Sequence, residues 1–143
     1  MTDAPTILPP GARFHHIGVA CRDLVRELDG LRGLGYEPSG PQFSDPRQGV
    51  LGVFLEGPGP RLELLAPSGE SRVLEPWLSG NAKMYHLAYE VPQLRAALGA
   101  VSAAGARLVS RPVPAVAFDE REICFVMLRS IFLVELIQDA RSS

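Results

Sequence analysis

The chain has 143 residues, a net charge of −2 and 46% hydrophobic residues, enough for one domain with a real core, while half that length would be marginal. A phosphate-binding surface needs clustered Lys and Arg, and no basic block is present, which excludes nucleic acid as the expected partner. The start lacks a charged stretch followed by an apolar one, and the apolar runs are of strand length, so no membrane segment is expected and the chain reads as cytoplasmic. In that setting Cys21 and Cys124 are expected to be reduced fillers.

In chain order, residues 1–13 form a Pro-rich lead expected to be flexible. Residues 14–20 alternate in polarity and predict a strand. Asp23 is placed to cap a helix whose Leu24, Leu28, Leu31 and Leu34 follow helical spacing, and Gly35 stops it. Strands are predicted at 36–39, 50–55 and 61–65, separated by Pro and Gly turns such as Gly57-Pro-Gly-Pro60. A connector over 68–82, with a helical turn or two around 73–78, leads to a second series: a strand at 84–91, Pro92 beside a helix start, a helix over 94–104 ended by Gly105, and strands at 107–111, 121–127 and 131–137. A short tail, 139–143, follows. The expected class is α+β, a single domain over 14–138 built from two tandem βαβββ modules, 14–67 and 83–138.

The two series repeat in sequence. His16-Ile-Gly-Val-Ala-Cys-Arg-Asp-Leu24 lies over His86-Leu-Ala-Tyr-Glu-Val-Pro-Gln-Leu94, and Arg61-Leu-Glu63-Leu-Leu65 over Leu133-Val-Glu135-Leu-Ile137, each about 70 residues later. Gly35 falls over Gly105 and Phe54 over Phe125. Each half therefore brings one His near its start and one Glu near its end. A duplicated unit can converge both pairs on one point, and two imidazoles with two carboxylates make a divalent-metal site.

Strand alternation supports that expectation. His16 shares a face with Gly18 and Ala20, and His86 with Ala88, small neighbours that suit a cleft better than a solid core. Glu63 and Glu135 stand in otherwise apolar strands, where an ionised carboxylate lacking a counter-charge is costly and a cation removes the cost. Singly, a strand His is more often a hydrogen-bonded core residue and a strand Glu more often faces water; the matched pairs are what the bland reading does not explain. His15, adjacent to His16, is expected on the opposite face. Trp77 is expected to pack the connector, and Glu90 has the facing of His86 at a strand end.

These segments resemble a family. His16-Ile-Gly-Val-Ala, Leu62-Glu-Leu-Leu-Ala-Pro67, Tyr85-His-Leu-Ala-Tyr-Glu-Val91 and Val134-Glu-Leu-Ile137 look like the signature segments of the vicinal oxygen chelate superfamily, which includes glyoxalase I, methylmalonyl-CoA epimerase, extradiol dioxygenases and the fosfomycin and bleomycin resistance proteins. The resemblance runs from about residue 14 to 138 and implies two βαβββ modules forming a metal-containing cleft. It is closest to the small glyoxalase I and epimerase branch, in which His16, Glu63, His86 and Glu135 occupy the ligand positions. Asp45-Pro-Arg-Gln-Gly-Val50 resembles the epimerase pattern, and the stretch from Arg111 to Arg121 resembles glyoxalase-like proteins. The Gly-rich stretch that helps hold a CoA thioester in many epimerases is missing before the last strand, and Gly52 stands where one relative carries a basic Glu.

The resemblance implies a small-molecule substrate with a carbonyl or vicinal oxygens and a cation that stabilises the enediolate or enolate left when a proton departs. The expected activity is glyoxalase I-like isomerisation of the lactoylglutathione lyase type. Alternatives are methylmalonyl-CoA epimerase-like epimerisation and non-catalytic antibiotic binding. Glu135, and secondarily Glu63, is the expected proton carrier; Arg121 and Gln48 are candidate substrate contacts. A donor set without thiolate suits one six-coordinate divalent ion per chain, Ni²⁺ or Co²⁺ first by family resemblance, with Zn²⁺, Mn²⁺ or Fe²⁺ as alternatives. The family habit of pairing modules within or between chains implies a homodimer.

Overall fold

The computed structural model describes residues 6–142, with no side-chain description at Ser142; residues 1–5 of the expected lead and residue 143 of the tail lie outside the described residues. The chain divides into two compact units, one of residues 16–85 and one of the segment up to His15 together with 86 onward. The fold is α+β, and each unit repeats the other's plan.

The first unit takes strand β1 (Arg13–Ala20) from its His16 onward, then helix α1 (Leu24–Arg32), β2 (Glu37–Pro38), β3 (Phe43–Asp45), β4 (Val50–Glu56), β5 (Leu62–Pro67) and helix α2 (Glu75–Ser79). Its strands run β2, β4, β5, β1, with β3 also on β4. β5 lies parallel to β1 and antiparallel to β4. The Asp23 carboxylate accepts from Val25 N at 2.9 Å and Arg26 N at 3.2 Å, satisfying two of the donors every helix start leaves open. The helix ends at Arg32, sooner than the leucine spacing suggests, so Leu34 is exposed while Gly35 turns the chain at φ 102°. One face of the sheet packs on α1 through Val19, Cys21, Val53, Leu55, Leu62 and Leu64. Full burial of such a side chain contributes about 1.5–3 kcal/mol. The other face carries His16, Gly18 and Glu63.

The second unit takes strand β6 (Met84–Val91) from its His86 onward, then helices α3 (Leu94–Ala97) and α4 (Gly99–Ala103), β7 (Arg107–Leu108), β8 (Val113–Pro114), a 3-10 turn (Val116–Phe118), β9 (Glu122–Met127) and β10 (Leu133–Gln138). Its order is β6, β10, β9, β7, with β8 also on β9. β10 lies parallel to β6 and antiparallel to β9. Val91, Leu94, Val101, Cys124, Val126 and Leu136 form its core, and Ile7, Leu8 and Ala12 of the expected lead pack against it. Its helix start is capped from a distance, by Gln138 Oε1 accepting from Leu94 N at 2.9 Å, with Gln138 Nε2 donating to Pro92 O at 2.7 Å.

Four local expectations are corrected. The continuous helix over 94–104 is two short helices meeting at Leu98, next to Gly99, whose helix propensity is poor. The strand at 36–39 shortens to two edge residues at Pro38, which has no N–H for a ladder. The strand at 107–111 shortens to Arg107–Leu108. Strands β3 and β8 are additions, too short to show an alternating pattern. No helix among the described residues is long and apolar enough to cross a membrane.

Candidate metal centre

Within the first unit the parallel register of β1 and β5 sets Glu63 beside Gly18, two residues on from His16 and on its face. Because Gly18 has no side chain, the carboxylate reaches the imidazole, and His16 Nε2 lies 3.0 Å from Glu63 Oε1. Both are buried, at 0% and 4% exposure. Phe54, the cross-strand partner of Glu63 on β4, sets its ring edge-to-face against His16, 5.4 Å between centroids and 77° between planes.

Within the second unit the same parts recur. Glu135 on β10 lies beside Ala88, two residues on from His86. His86 Nε2 is 3.2 Å from Glu135 Oε1, and each residue is 3% exposed. Phe125, cross-strand from Glu135, meets His86 edge-to-face at 5.2 Å and 80°. Phe54 and Phe125 recur at nearly the offset of the histidines, and that offset is the sequence signal that they belong with them.

Each pair offers an imidazole nitrogen and a carboxylate oxygen from a dry strand face. His16, Glu63, His86 and Glu135 are the described residues whose donors could together hold a metal ion. The set fits a divalent cation chemically: two neutral nitrogens leave the charge of the ion to be balanced by two carboxylates. Thiolate takes no part. Cys21 and Cys124 are buried on the helix-packed faces, where burial pushes their thiols up to about 11 and about 12.

The other candidates have structural partners. Arg121 Nη1 donates to Glu90 Oε2 at 3.0 Å and to Gln138 O at 2.7 Å, its Nε donates to Phe118 O at 3.1 Å, and the guanidinium lies over the Phe118 ring. Glu90 also accepts from Arg13 at 3.3 Å. His15 packs edge-on to Phe118 rather than joining His16. Gln48 is half-buried in the turn between β3 and β4, where the Asp45 carboxylate accepts from Arg47 N and Gln48 N. Trp77 packs edge-to-face on Tyr85.

The family model for the Glyoxalase/Bleomycin resistance protein/Dioxygenase superfamily matches residues 15–125. The chain belongs to this superfamily. A relative, the ethylmalonyl-CoA/methylmalonyl-CoA epimerase of Cereibacter sphaeroides, is 31% identical over 131 residues, covering 88% of this chain and 97% of that protein. Among solved structures, methylmalonyl-CoA epimerase from Mycobacterium tuberculosis superposes with a TM-score of 0.74 at 26% identity, covering 89% of this chain and 87% of that one. A variant of the Streptomyces coelicolor methylmalonyl-CoA epimerase in complex with 2-nitronate-propionyl-CoA gives 0.73 at 26% identity, covering 90% and 97%. These relatives support an enzyme of this superfamily, and their names favour the epimerase alternative over the glyoxalase I reading.

Proposed function

We propose that the chain is an acyl-CoA epimerase acting on a thioester whose α-carbon bears a carboxylate and a small alkyl group, with His16, Glu63, His86 and Glu135 together holding one divalent cation, Ni²⁺ or Co²⁺ first. The observation that carries the reading is the twin His–Glu pair, alike in register, burial and aromatic backing in both units. The epimerases to which the chain is similar supply the substrate class.

When bound, such an ion supplies Lewis-acid stabilisation to the negative charge that develops on a thioester oxygen as the α-proton leaves. The residues do the rest. A carboxylate oxygen of Glu135, secondarily Glu63, accepts the proton from the α-carbon while the C–H electron pair moves toward the thioester carbonyl. A proton delivered from water to the opposite face of the same carbon inverts it, and the carboxylate loses the proton it took to solvent. Gly18 and Ala88 leave room beside the carboxylates, and Phe54 and Phe125 fix the imidazole planes and shield them from water. Arg121 and Gln48 are the proposed polar contacts of the substrate, Arg121 braced by Glu90. The assembly is a homodimer in this reading, and light scattering at micromolar concentration should return twice the chain mass of 15.5 kDa.

The deciding test is α-proton exchange from D₂O followed by NMR, using metal-loaded protein with methylmalonyl-CoA and ethylmalonyl-CoA. Washout of the α-proton with loss of optical purity is expected. Isomerisation of a glutathione hemithioacetal with both CoA esters left untouched would return the assignment to glyoxalase chemistry, and tight binding of either without exchange would mark a sequestering protein.

A further inference from the structure

The duplication breaks at one place on the wall of the first unit. On β9 of the second unit, two residues before Phe125, stands buried Ile123, paired with Val113 of β8. At the matching place in the first unit, two residues before Phe54, stands Gly52, paired with Phe43 of β3. The bulk has moved from the inner strand to the short edge strand.

Geometry shows what the exchange achieves. A Cβ on Gly52 would collide with the Phe43 ring and lie 2.9 Å from Leu65 Cδ2, so the ring rests on the bare backbone in a space only glycine leaves. There the ring sits 6.0 Å from Phe54, which abuts His16 and lies across from Glu63. Gly52, Phe54, Glu63 and Leu65 share one sheet face by register. Phe43 is half-buried.

We propose that Phe43, seated on Gly52, is the specificity-determining wall against the alkyl group on the substrate's α-carbon. This rests on the epimerase reading above. A flat ring on a two-sided aromatic shelf limits that group by size rather than by hydrogen bonding, so the wall grades substrates by methylene count. A pocket of this kind discriminates by roughly 10- to 200-fold per methylene. The Phe43→Val substitution copies the second unit's edge residue and opens the wall; Gly52→Ala keeps the ring but drives it outward.

The experiment measures kcat/KM for methyl-, ethyl- and butylmalonyl-CoA with wild type and both variants, together with calorimetric binding of the same three esters, metal content and thermal stability. Phe43→Val is expected to raise the butyl-to-methyl ratio by about 10-fold or more, and Gly52→Ala to lower the ethyl-to-methyl ratio. Ratios within twofold of wild type in both variants, with folding and metal content intact, overturn the proposal. If wild type turns over none of the esters, the epimerase reading fails, and the binding ratios still decide the wall: a shift toward the larger ester in Phe43→Val upholds it, and unchanged ratios remove it.

Discussion

In the metal-free protein the His16–Glu63 pair is expected to cost more than it contributes, and a double-mutant cycle measures by how much. Both side chains are dry, and Gly18 and the Phe54 ring beside them offer no hydrogen bond. Changing His16→Leu alone removes the imidazole 3.0 Å from an almost wholly buried carboxylate, and breaking such a pair destabilises by about 3–5 kcal/mol. Changing Glu63→Leu as well removes the charge and replaces the pair by hydrocarbon of similar volume, an exchange that is often neutral or stabilising by about 1–4 kcal/mol. The double variant should therefore be at least as stable as wild type, and the coupling between the two changes should be about 3 kcal/mol or more. Urea denaturation with a chelator present, followed by circular dichroism, measures it. In thermal melts each kcal/mol corresponds to roughly 3–5 °C at this chain length. If the effects add, or the double variant is less stable than His16→Leu, the pair is a structural brace and the argument that it is retained for ligand binding fails.

Glu135→Gln keeps an oxygen at the same place and removes its basicity, so it should retain metal by elemental analysis while α-proton exchange slows roughly 10²-fold or more; an unchanged rate places the base elsewhere. Calorimetry with Ni²⁺ or Co²⁺ should give one site per chain, His86→Ala should abolish most of the affinity, and free metal at about 100 times Kd should stabilise the fold by roughly 2.7 kcal/mol. Undiminished binding by His86→Ala would exclude that ligand. Cys21 and Cys124, raised to about 11 and about 12 by burial, hold almost no thiolate at pH 8, so iodoacetamide should label neither until denaturant is added. Since a raised pKa means the folded state holds its proton more tightly, the stability they contribute is complete below the ordinary thiol range and fades as pH rises from about 9 toward 12. Labelling of either thiol at its free rate would show that these faces open.

Duplication made the candidate ligands legible, because chance gives no reason for His and Glu to recur together at one offset, and the recurring strand registers preserve the match. The start of α1 was legible for a local reason: Asp23 caps its own helix. The cap of the second helix was not, since Gln138 arrives from the far end of the unit. Strands β3 and β8 are held by their neighbours on β4 and β9 rather than by any pattern of their own. Phe43 is illegible for the same reason, since the meaning of a ring on a short strand depends on the glycine opposite it. Arg121 showed its charge in the sequence but not the bonds to Glu90 and Gln138 that hold it in place.

The parallel seating of β5 on β1, and of β10 on β6, bears on how the protein is made. Within each unit the imidazole and its carboxylate are nearly fifty residues apart along the chain. Bringing such ends together carries a closure entropy of about 3.5 kcal/mol, and parallel pairing of distant strands is slow to form. The last strand of each unit therefore delivers the donor that completes the pair, and a nascent chain has no finished pair until that strand docks. A cation gripped by both partners would act as a latch on the seam, slowing the strand's departure more than it hastens its arrival.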